Sequence, residues 1–116
     1  MSYTWLQPTL ERISDLLKLP DKHNCYGTAR VAPQVAMIAV QFLLLHMHAE
    51  DAAPRITPTM EGGLHFEWNG LKSFCSADFN PGMKIAAVHG EECCQDPSGV
   101  SVLVGRALTG FRAEAA

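Results

Sequence analysis

Apolar positions recur at two different spacings along the chain, and the change of spacing divides it into elements. Leu6, Leu10, Ile13, Leu16 and Leu17 follow helical spacing with Glu11, Arg12 and Asp15 between them. That pattern predicts an amphipathic helix of about three turns ending near Pro20. Residues 21–31 are rich in turn formers and read as loop, and Pro33 suits the first turn of a second helix. This helix, predicted over 33–48, is apolar on nearly every side, as expected of a helix central to the core or to an oligomer interface. From 64 the period becomes two: Leu64, Phe66 and Trp68 alternate with His65 and Glu67. Asn69-Gly70 then predicts a two-residue type I′ hairpin. Its register would set Trp68 opposite Leu71, Glu67 opposite Lys72, Phe66 opposite Ser73 and Leu64 opposite Cys75. Asn80-Pro81-Gly82 marks a further turn before a strand at 83–89, and 55–57 suits an edge strand where Pro58 is tolerated. In the tail, Val100, Val102 and Val104 alternate like a strand. Val100, Leu103, Val104, Ala107, Leu108 and Phe111 fit a helix better, with Asp96-Pro97 as its cap and first turn. The expected fold is α+β in a single domain. N-terminal helices pack on one face of a three- to four-stranded antiparallel sheet, and a C-terminal helix follows.

Charge and composition narrow the partners. The net charge is −3 and the nine basic residues are scattered, with Asp15 and Asp21 interrupting the nearest cluster at Lys18, Lys22 and Arg30. Nucleic-acid binders concentrate basic charge to neutralise phosphates, so nucleic acid is not the expected partner. The longest apolar run, 35–45, contains Gln41 and falls well short of the roughly 20 residues a membrane span needs. No secretory leader pattern opens the chain, and a soluble cytoplasmic protein without membrane association is the expectation. Reduced thiols follow from that setting. Cys93 and Cys94 are adjacent, and neither Cys25 nor Cys75 has a partner at zinc-ligand spacing, so no metal or other cofactor is expected.

The candidate contact residues fall in two places. Asn24 and Tyr26 lie in the first loop, where recognition residues commonly sit, although both also suit a structural turn. His65 and Glu67 share one face of a strand, with Lys72 and Phe74 expected opposite; a proton-transfer pair and a solvated sheet face both fit them. Trp68 suits either a partner anchor or the core. Glu61-Gly62-Gly63 lacks the Lys and Ser/Thr of a phosphate loop and reads as a turn. His46 and His48 point to different faces of their helix and make no metal pair. Cys25 beside His23 offers a nucleophile and a base without a third member.

Two segments carry a family likeness. NCYGTARVAP at 24–33 and PRITPTMEGGLHFEW at 54–68 resemble a group of small bacterial and phage proteins. That group carries a pattern like N-W-D-x-Y-G-A-x-P-[VI]-[ST]-P opening an apolar helix, then P-x-[IV]-x-P-[TS]-x-[DE]-G-G-[VIL]-x-[LF]-[EQ]-W before a hairpin. The second segment matches closely. The first departs from the pattern: the Trp-Asp pair is replaced by Cys25 alone, and Ala32 stands where Ser or Thr would cap the helix, at a cost of about 1 kcal/mol. The chain looks like a divergent member. The resemblance implies an α+β accessory protein of a phage or mobile element, of a group found near toxin–antitoxin or defence genes and without enzymatic activity. By analogy it implies a small inhibitor, antitoxin-like or anti-defence, that acts on a protein partner. The alternatives are an oligomeric accessory protein, built as a homodimer through the apolar helix and Trp5, and a small enzyme using Cys25 or the His65–Glu67 face.

Overall fold

A computed structural model describes residues 3–20 and 29–115. Asn24, Cys25, Tyr26 and His23 lie outside the described residues. Among the described residues, three helices and five strands follow in the order α1 (Leu6–Leu17), α2 (Pro33–His46), β1 (Arg55–Pro58), β2 (Leu64–Asn69), β3 (Phe74–Asn80), β4 (Lys84–His89), β5 (Glu92–Cys94) and α3 (Pro97–Ala115). The strands form one antiparallel meander in the order β1-β2-β3-β4-β5. The α+β class and the C-terminal helix stand as expected. The sheet has five strands, where three to four were expected. β5 leaves little pattern in the sequence because it is three residues long and mostly exposed. Its signal is Gly90-Glu91, a two-residue turn with Gly90 at φ +64°, closing the His89↔Glu92 pair.

Strand alternation sorts the sheet into two faces. Ile56, Leu64, Phe66, Trp68, Cys75, Ala77, Phe79, Ile85 and Ala87 are buried beneath the helices. α1 lies along β1, α2 crosses β2 and β3, and α3 runs over β3, β4 and β5 beside α2. One core joins these strand residues to Ile13 and Leu16 of α1, to Ala39 and Leu43 of α2, and to Leu103 and Val104 of α3. α1 also covers the sheet edge, where Arg12 Nε donates to the Ile56 carbonyl at 3.1 Å. Among the described residues, the opposite face of the sheet carries no layer. No helix among the described residues is long and apolar enough to cross a membrane.

One expectation about apolar surface is corrected. Trp5 is only 1 % exposed and its indole donates to the His48 carbonyl at 3.0 Å, so it offers no dimer surface. α2 buries one face, through Val35, Ala36, Ala39, Phe42 and Leu43, while Met37, Leu44 and Leu45 on its other face are exposed.

The β2–β3 hairpin is longer than expected. Asn69 pairs with Phe74, Trp68 with Cys75, Glu67 with Ser76, His65 with Asp78 and Leu64 with Phe79. The loop therefore spans 70–73, closed by Gly70 N–H to the Ser73 carbonyl at 2.8 Å. Gly70 is not among the positive-φ residues, so there is no type I′ turn. Glycine is needed there for another reason. A Cβ on Gly70 would sit 2.5 Å from the Phe111 ring of α3. The Leu71 N–H beside it is held by Glu114 Oε2 at 2.7 Å. Docking of α3 thus sets the hairpin, and Leu71 is left 83 % exposed. The register differs by an even number of residues, so the apolar set keeps its face.

Residues 29–32 meet the 60–62 turn in space. Ala29 N–H donates to the Met60 carbonyl and Ala32 N–H to the Gly62 carbonyl, both at 3.0 Å. Between them Thr59 closes a turn, taking Gly63 N–H on its hydroxyl at 2.9 Å and donating that hydroxyl to Asn80 Oδ1 at 2.5 Å. Gly62 has φ +90° and faces the Arg30 carbonyl. Gly63 presses on the β3 backbone at Phe79 and Asn80. The Gly-Gly pair is a structural turn that staples the entry of α2 to the sheet.

Candidate functional site

The uncovered sheet face gathers two of the five candidate residues. His65 stands between Thr57 of β1 and Asp78 of β3, and its Nδ1–H donates to Asp78 Oδ1. Glu67 stands between Arg55 and Ser76 on the same face. Among the described residues, neither Arg55 nor Glu67 makes an ion pair or a side-chain hydrogen bond. Lys72 lies in the 70–73 loop, exposed and apart from Glu67, because the longer loop moves it out of the ladder. The sequence reading missed Asp78 and Arg55 as neighbours of His65 and Glu67. A four-residue loop would have placed Asp78 opposite His65 directly.

A groove of about 1290 Å³ opens where this face ends. Its walls are the C-terminal half of α3, the 48–53 connector and the hairpin end of β2, with Arg55, Glu67, Trp68, Leu108 and Phe111 among its lining residues. One wall is braced by a bidentate ion pair. Arg112 donates from Nε to Asp51 Oδ1 at 2.9 Å and from Nη2 to Oδ2 at 2.7 Å. Nη2 also donates to the His46 carbonyl at 2.9 Å, placing a cation on the last turn of α2. Trp68 lines the groove, and its indole N–H is buried without an acceptor among the described residues. An unsatisfied donor of this kind costs roughly 1–3 kcal/mol.

Burial works to raise the Asp51 pKa, but the Arg112 hydrogen bonds, the His48 N–H at 2.7 Å and the cation itself outweigh it, and the net shift is downward. The unfolded chain then takes up the proton first as pH falls. The stability that Asp51 contributes is present above its ordinary value of about 4 and is lost as pH drops through the lower folded value. Asp51→Asn is expected to flatten the pH dependence of the urea midpoint below about pH 4 relative to wild type; parallel profiles would remove the ion pair from that role.

Cys75 lies in the core. Burial pushes the Cys75 thiol up to about 11, which keeps it protonated near neutrality. His46 packs on Phe42 with ring centroids 4.4 Å apart and shares a 3.0 Å hydrogen bond with Ser101 Oγ. Burial lowers its pKa, so protonating it opposes folding. Among the described residues no three His, Cys, Asp or Glu side chains gather as a metal site would require. No family model, curated protein or solved structure matches the chain.

Proposed function

We propose that the chain is a non-enzymatic binding module that holds a segment of a protein partner along the open sheet face and into the adjoining groove. The observation that carries this is the Arg55–Glu67 position. Charges of opposite sign lie opposite one another on β1 and β2 and line the groove, and neither makes an ion pair among the described residues. Partner side chains of complementary sign would pair with both, and fixed charges at a rim select partners and orient them. The apolar walls at Leu108 and Phe111 suit a partner's apolar side chain. The His65–Asp78 pair stands on an open face with side chains 34 % and 41 % exposed, which suits a contact surface better than a water-excluding catalytic site. An inhibitory role, antitoxin-like or anti-defence, is what the resemblance of 24–33 and 54–68 adds to this proposal.

The test is affinity capture from a bacterial lysate with wild type and the Arg55→Glu/Glu67→Lys double variant side by side. A stoichiometric partner held by wild type and weakened at least about tenfold by the charge reversal is the expected result, with circular dichroism unchanged. Capture of the same partner equally by both proteins would overturn the assignment of this face.

A further inference from the structure

The exposed face of α2 is independent of that groove. Gln34, Met37 and Ile38 are followed one heptad later by Gln41, Leu44 and Leu45, so amide, apolar and apolar positions repeat at a spacing of seven. Leu45 is 80 % and Met37 64 % exposed, and Leu44 is also exposed. The other helix face is in the core, and within the stripe Ile38 packs partly against that core while Met37, Leu44 and Leu45 point to solvent. No Asp, Glu, Lys or Arg occurs anywhere in α2. Beside the stripe lies an apolar groove of about 460 Å³, walled by Val35 and Ile38 on one side and by the Pro81-Gly82-Met83 turn on the other. Met83 in that turn is exposed and holds φ at +61°.

We infer that this face joins two copies of the chain, α2 against α2 about a two-fold axis near Gln41. Apolar positions one heptad apart lie on one side of α2, where they can meet the same positions of a second helix. In a two-fold contact each residue near the axis meets its own copy, so any charge there would face its like. A stripe without charges satisfies that condition. Gln41 satisfies it too, because an amide both donates and accepts and can pair with itself. The apolar groove beside the stripe gives exposed side chains of the second copy a place to enter. A membrane surface fits less well, since interfacial helices carry Lys and Arg along their polar face and α2 has neither. A charge-selected foreign partner fits less well for the same reason.

Sedimentation velocity over a concentration series tests this with three proteins. Wild type is expected to be dimeric at about 10 µM, and Leu45→Glu monomeric there with at least a hundredfold weaker self-association and an unchanged circular dichroism spectrum. Leu71→Glu, an equally exposed change on the hairpin loop, is expected to stay dimeric. As a second measurement, Gln41→Cys should cross-link to a disulfide dimer under mild oxidation, and faster than any dimer formed by the native cysteines in wild type. A wild type that stays monomeric to about 100 µM, or a Leu45→Glu protein that dimerises as tightly as wild type, would overturn the inference.

Discussion

Gly63→Ala is expected to lose roughly 3 kcal/mol of stability, the upper end for overpacking, and to melt about 10 °C below wild type. The added methyl would meet the Phe79 carbonyl oxygen and stand 2.8 Å from the Asn80 Cα. Both are backbone atoms of β3, and they cannot swing aside as a flexible side-chain tip could. Relief requires β2 and β3 to part at the end where Leu64 pairs with Phe79, or the 58–63 turn to shift. A shift of the turn would also strain the Thr59 hydroxyl bonds and the Ala32–Gly62 staple to α2. Gly82→Ala is the control. Gly82 has φ +77° but open space around its Cβ position, so only the left-handed backbone is penalised, by about 1 kcal/mol. Thermal melts of the two variants separate close approach from backbone strain. A Gly63→Ala protein no less stable than Gly82→Ala would dismiss the contact with β3.

Three adjacent leucines give the second large contrast. Leu43 is fully buried among the helices and strands, and Leu43→Ala is expected to cost about 2–5 kcal/mol. Leu44→Ala and Leu45→Ala remove side chains that leave the core for solvent. They are expected to stay within about 0.5 kcal/mol of wild type when measured at sub-micromolar protein, where self-association contributes least. Urea unfolding decides this directly. Comparable losses at all three positions would mean that α2 is enclosed on both faces. At higher concentration Leu45→Ala should diverge from wild type, because mass action then adds the dimer contact to wild-type stability.

Part of the candidate site was already legible along the chain. His65 and Glu67 share a face because a strand has period two, and no tertiary contact is needed to see it. Asp78 as the partner of His65 depended on register, and register depended on α3. The Asn-Gly signal argued for the shortest loop. The longer one is held by the Phe111 ring against Gly70 and by the Glu114 bond to Leu71, contacts to a helix some forty residues further along. The Asp51–Arg112 brace joins residues 61 apart and left no local trace.

What the sequence alone determined is what nearest neighbours decide. Helical spacing placed α1 and favoured a helix over a strand at α3, where Asp96 accepts Gly99 N–H at 2.9 Å, alternation placed β2, and Gly62-Gly63 marked a turn that side chains would block. Each of these rests on backbone dihedrals or on a period within one element. Tertiary structure alone decided which face of α2 is buried, because a helix apolar all round has no sequence asymmetry to orient it. It alone decided that Trp5 joins the core, that the hairpin takes four residues, and that a three-residue β5 completes the sheet. In each of these cases the competing local options lie close in energy, and packing between elements distant in the chain selects among them.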